Sequence, residues 1–125
     1  MNVVVHDYQR LRVYSEALDV TEDAYKVARA LPGIERFELS SQLRRASTSI
    51  AANIAEGAGR GGKTEFARYL RIAVGSACEV EAIAEMVIRL YPTHESNAIE
   101  LKHRVRSLLH RIQRLEQQLR PQPTS

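Results

Sequence analysis

The chain has 125 residues, 44% hydrophobic and 26% charged, with Lys+Arg 18 against Asp+Glu 15 and a formal net charge of +3. This is one domain's length and a soluble globular composition, which excludes a disordered chain and a histone-like basic chain. No apolar run reaches the roughly 18 residues of a membrane span, the Val3-Val4-Val5 start is too short for a secretory signal, and a lone Cys78 excludes an internal disulfide or a multi-cysteine zinc site. A cytoplasmic protein with no membrane association is expected. The bias to arginine over lysine fits either guanidinium chemistry or the codon usage of a GC-rich genome.

Proline and glycine cut the chain into four segments, at Pro32-Gly33, at Gly57–Gly62, at Pro92, and at Pro121 and Pro123. Each segment has helical periodicity. In the first, Leu11, Tyr14, Leu18, Thr21, Tyr25 and Ala28 form one line, with Ala17, Val20, Ala24, Val27 and Leu31 beside it. The second has Leu39, Leu43, Ala46, Ile50 and Ile54; the third, Phe66, Leu70, Ala73, Ala77, Val80, Ala84, Val87 and Tyr91. The fourth runs Ala98, Leu101, Val105, Leu108, Ile112, Leu115, Leu119. Steps alternating between three and four are those of left-handed bundle packing. Nothing alternates at period two. The expected fold is all-α, an antiparallel up-down-up-down four-helix bundle. It forms one domain over residues 8–120, with flexible ends at 1–7 and 121–125.

Two helices carry more than a core stripe. The third has a second line, Tyr69, Ile72, Ser76, Glu79, Ile83, Met86 and Leu90, wider than one small bundle buries. It predicts a contact with another subunit. The second carries a polar line, Gln42, Arg45, Ser49, Asn53, Glu56 and then Arg60. Burying these groups requires partners. Ser76 and Glu79 are the candidates, in a polar layer between helices 2 and 3 or across a subunit contact; the alternative is a solvated face.

Several stretches match chemical motifs. Gly57-Ala-Gly-Arg-Gly-Gly-Lys-Thr64 satisfies the phosphate-loop pattern G-x-x-x-x-G-K-[ST]. That loop needs a buried strand before it, and here an amphipathic helix precedes it. It reads as a connection between helices, in which Arg60, Lys63 and the start of helix 3 could still hold a nucleic-acid phosphate. Glu100-Leu-Lys-His103 matches half of a di-iron fragment, but a bundle site needs two such fragments, and His103 points away from the core. No metal or cofactor is expected. On the outer face of helix 4 stand His103, Arg106, His110, Gln113, Arg114 and Gln117, with Lys102 and Arg120 at its margin and Glu100 and Glu116 off to the flanks. Donors and positive charge without acid are the chemistry of phosphate contacts. Cys78, beside core position Ala77, reads as a packing residue. The tyrosines read as core or interface aromatics. No arrangement supports nucleophilic catalysis.

The segment Gln42-Leu-Arg-Arg-Ala-Ser-Thr-Ser-Ile-Ala-Ala-Asn-Ile-Ala-Glu-Gly57 with Gly59-Arg60, and Glu65-Phe66…Leu70-Arg-Ile-Ala-Val-Gly75-Ser76…Glu79, resemble the 23S rRNA intervening-sequence protein family, also called the four helix bundle protein family. The resemblance runs from about Tyr8 to Leu119. Its motif residues here are Gln42, Arg44, Arg45, Ser49, Asn53, Glu56, Gly57, Arg60, Phe66, Gly75, Ser76 and Glu79. Tyr14 stands where the family often has Trp, and Ala51 where it often has Pro. The resemblance implies a homo-oligomer, a ring-shaped pentamer. Together these readings predict a non-enzymatic oligomer that binds nucleic acid, RNA ahead of DNA, through Arg106, His110, Arg114, Arg60 and Lys63. Gln42, Arg45, Ser49, Asn53, Glu56, Ser76 and Glu79 would form the polar or subunit-contact layer. The alternative is a scaffold whose partner is another protein.

Overall fold

The computed structural model describes Tyr8 and residues 11–120, so the expected flexible ends at 1–7 and 121–125 lie outside the described residues. Four helices follow in order: α1 (Arg12–Ala30), α2 (Leu39–Ala58), α3 (Lys63–Leu90) and α4 (Glu95–Gln118). Short 3-10 turns at Gly33–Glu35 and Pro92–His94 lead into α2 and α4. No strand occurs among the described residues.

Local chemistry sets the helix ends. Pro32 disfavours helical geometry at Leu31, which is extended (ψ 152°), and α1 stops there. Glu35 reaches forward to accept the Leu39 N–H at 3.3 Å, supplying an acceptor at the start of α2. Gly61 takes φ +86°, a left-handed conformation that costs glycine little, and the chain turns there into α3. Pro92 ends α3 and opens the turn into α4. α2 is continuous through Ala51, which is buried.

The contacts between helices run antiparallel. Residue numbers fall on α4 as they rise on α3: Arg71 meets Glu116, Glu81 meets Arg106, and Glu85 meets Lys102. On α1 and α4 the pairs are Glu16 with Arg111 and Asp23 with Arg104. Thr21 donates to the Ser47 carbonyl and Ser40 to the Ala28 carbonyl, tying α1 to α2. α2 and α4 therefore each lie between α1 and α3.

The core follows the expected periodicity in α2, α3 and α4. In α1 the core line is Ala17, Val20, Ala24, Val27 and Leu31, joined by Val13. The companion line fares differently, with Tyr14, Thr21 and Tyr25 half-buried and Leu18 47% exposed. Alanines at 17 and 24 let α1 sit close, which turns the larger side chains of its other line toward the rim. On α3 the second line splits. Ile83 is buried, while Ile72, Met86 and Leu90 are 42%, 47% and 58% exposed.

Candidate nucleic-acid interface

Part of the polar line on α2 forms a layer with α3. Ser49 and Ser76 share a hydrogen bond of 2.8 Å across the two helices. Asn53 Nδ2 donates to the Ser49 carbonyl at 2.8 Å and to Ser49 Oγ at 3.0 Å. All three residues are half-buried, and these bonds partner them within the protomer. Gln42, Arg45 and Glu79 lie on the same side but are exposed, and their side chains take no partner among the described residues. Between Arg45 and Glu56 the outward face of α2 consists of Thr48, Ser49, Ala52, Asn53 and Ala55, within ten consecutive positions of helix that carry no charge.

Glu56 and Arg60 belong to a second cluster, at the α2–α3 corner. Gly57 leaves space there that a side chain would fill. A Cβ at this position would lie 2.5 Å from the Tyr69 Cβ and 3.1 Å from Phe66 Cδ1. α3 therefore approaches α2 closely, and Tyr69 is drawn to the seam. Arg60 Nη2 donates to Glu56 Oε1 and to the Tyr69 hydroxyl, each at 2.8 Å. Arg68 donates from Nε and Nη2 to the two oxygens of Glu65, each at 3.1 Å. Its guanidinium carbon lies 4.5 Å from the centroid of the Tyr69 ring. The Glu65 carboxyl is held below its ordinary range by the Arg68 hydrogen bonds, and those bonds in turn raise the Arg68 guanidinium. Tyr69 is thus more than the interface aromatic its periodicity suggests. The sequence signal for its larger part is the pair of helical spacings, Glu56–Arg60 and Glu65–Arg68, that flank it.

The glycine-rich stretch is a connection between helices. Its first residues complete α2, and Gly62 caps α3. Lys63, the first residue of α3, is exposed and pairs with no carboxylate among the described residues.

The outer face of α4 is acid-free within its own helix but not in the bundle. Arg106 donates to Glu81 of α3 at 2.8 Å, and Lys102 lies 3.5 Å from Glu85. The half of the stripe nearer α3's C-terminus is thus neutralised from the neighbouring helix, which the sequence of α4 alone does not reveal. His110 and Arg114, toward the other end, are exposed and meet no carboxylate among the described residues. Glu116, expected on a flank, is 3% exposed. Arg120 clamps both its oxygens at 2.7 Å, and Arg71 adds a third hydrogen bond at 3.0 Å. These bonds, that from Arg120 foremost, hold the Glu116 carboxyl below its ordinary range.

Charge is consequently sorted along the bundle. The antiparallel register brings Arg12, Arg60, Lys63, Arg68, Arg71, Arg111, Arg114 and Arg120 into the half nearest the α2–α3 turn, with Glu16, Asp19, Glu56, Glu65 and Glu116. Eight positive charges against five negative leave +3 there, and the rest of the described chain is neutral in balance. Two carboxylates are shared: Glu16 pairs with Arg12 and Arg111, and Glu116 with Arg71 and Arg120. Each trio retains one positive charge; Arg111, Arg71 and Arg120 are hydrogen-bonded to their carboxylate, whereas Arg12, 76% exposed, makes an ion contact alone.

Cys78 is exposed rather than packed, because the step from Ala77 turns it off the core face. His103 is exposed, Glu100 pairs with Arg104, and no group of three or more His, Cys, Asp or Glu side chains among the described residues is placed to hold a metal. No described helix is long and apolar enough to cross a membrane. At the end opposite the basic half, Ile34 and Phe37 are 82% and 79% exposed.

No curated protein matches the chain. The family model described as 23S rRNA-intervening sequence protein matches residues 9–114, and the chain, a four-helix protein throughout its described length, belongs to that family.

Proposed function

We infer that the protein is a non-enzymatic homo-oligomer that binds nucleic acid, RNA ahead of DNA, at the basic end of its bundle. The observation that carries this reading is the +3 balance around the α2–α3 turn, set against no net charge over the remaining described residues. Lys63 and Arg114 supply cations without an in-chain carboxylate among the described residues, and Glu16 and Glu116 hold Arg111, Arg71 and Arg120 by hydrogen bonds. Such a field attracts phosphates without regard to base sequence. His110 adds a donor on the same face as Arg114. Arg106 is a weaker member than the sequence of α4 implied, since Glu81 already occupies it.

Assembly multiplies this field. The charge-free outer face of α2 and the exposed Leu18 and Ile72 on its flanks support contact with further copies. Five copies, the number the family likeness implies, would present five basic ends, and avidity would follow if they share a side. The layer of Ser49, Asn53 and Ser76 would lie beneath that contact, with Gln42, Arg45 and Glu79 at its margins.

The test is retention of a labelled RNA by the full chain at rising salt. About three phosphates neutralised per protomer predict a loss of roughly 20-fold in affinity between 50 and 200 mM salt. Binding that ignores salt, or none at low salt, refutes the reading. A second reading, a scaffold for another protein, is favoured by the exposed Ile34 and Phe37 at the opposite end. A partner held there would be retained at high salt, because apolar contacts are not screened.

A further inference from the structure

The α2–α3 corner contains more order than phosphate binding requires. A lysine on a flexible stem neutralises a phosphate as a point charge. Here two guanidiniums are each held from two directions. Arg68 is fixed by both oxygens of Glu65 and by the Tyr69 ring 4.5 Å from its centre. Arg60 is fixed by Glu56 and by the Tyr69 hydroxyl, with its guanidinium carbon 5.3 Å from the ring centroid. Gly57 sets the ring itself, by admitting the Tyr69 Cβ to a position that any other residue at 57 would crowd. The result is a row running Glu65, Arg68, Tyr69, Arg60, Glu56. Both arginine side chains remain about half exposed, at 48% and 49%.

Planar cations held against an aromatic ring are a surface on which a nucleobase stacks. The two carboxylates at the ends of the row repel phosphate, so the row suits a base better than a backbone. Lys63, with no in-chain carboxylate among the described residues, stands at the start of the same helix to take the adjoining phosphate. In a duplex the bases are already stacked on one another and their faces are closed. We propose that Arg60, Tyr69 and Arg68 form a stacking site for an unpaired nucleobase, which makes the partner of the basic end a single strand rather than a duplex. This rests on the nucleic-acid reading above.

The experiment is anisotropy titration of the full chain with a short labelled RNA strand, alone and annealed to its complement, at one low salt concentration. The single strand binds about ten-fold more tightly. Arg68→Lys keeps the charge and removes the plate; it erases that preference, bringing single-strand affinity down about ten-fold toward that for the duplex. Tyr69→Leu, which removes the ring, does the same, and circular dichroism confirms that both variants remain helical. Equal affinity for strand and duplex, or a preference that survives both substitutions, overturns the stacking site while leaving the basic end as the binding surface. Failure of both probes to bind overturns the two together.

Discussion

Replacing Gly57 by alanine sets two known effects against each other. Alanine is the better helix former by about 1 kcal/mol, and Gly57 lies in the last turn of α2. On propensity alone the variant is the more stable. The packing predicts the reverse. The new Cβ would stand 2.5 Å from the Tyr69 Cβ and 3.1 Å from Phe66 Cδ1. Unbonded carbons approach to about 3.5–4.0 Å, so α3 must retreat by about 1 Å. The nearest atom adjoins the backbone of Tyr69, and Phe66 is 3% exposed, so neither swings aside freely. Overpacking of this kind costs about 1–3 kcal/mol, and the upper part of that range applies. The expected net loss is about 1–2 kcal/mol, a fall in Tm of about 5 °C for a chain of this size. Gly75→Ala is the internal control. Gly75 lies mid-helix in α3, and a Cβ added there would meet nothing within 4 Å. Propensity then acts alone, and stability rises by about 0.5–1 kcal/mol. Urea titrations of both variants at one protein concentration give the signs. A Gly57→Ala protein as stable as the parent refutes the close approach of α2 and α3 at this level.

Three further outcomes follow from the side-chain contacts. Glu116→Gln removes a carboxylate that accepts three hydrogen bonds from Arg120 and Arg71, and lowers stability at neutral pH by about 1–3 kcal/mol. Because the folded carboxyl is held low, its contribution is present above the ordinary carboxylate range and lost as pH falls through the folded value; the variant therefore shows a shallower acid limb in a stability-against-pH series, and an unchanged limb would refute the clamp. Lys63→Glu with Arg114→Glu weakens RNA retention by more than about ten-fold, whereas Arg106→Ala, already engaged by Glu81, has a clearly smaller effect; filter binding separates the two, and the opposite ranking would return the interface to the middle of α4. Light scattering gives a mass several times 14.1 kDa, and Ile72→Glu, at an exposed site on α3, reduces it; a parent that is already a monomer at micromolar concentration refutes the subunit contact.

The sequence determined the four helices, their boundaries and most of the core, because helix periodicity and the breaks at Pro32, Gly57–Gly62 and Pro92 are local properties of the chain. It also offered Ser76 and Glu79 as candidate partners for the polar line of α2, and the structure pairs Ser76 with Ser49 while Glu79 is exposed. What each charge does was decided only by the tertiary structure. Arg106 looked free on α4 because Glu81 lies 25 residues away in the chain, and Glu116 looked peripheral because the arginines that permit its burial come from α3 and from beyond its own turn. Leu18 and Cys78 differ from their expected burial because the rotation of a helix about its axis is fixed by the neighbours it packs against. The small excess of positive charge in the composition became a basic end for the same reason. Electrostatic fields depend on distance in space, and the antiparallel register brings the arginines at the start of α1, the start of α3 and the end of α4 to one end of the bundle.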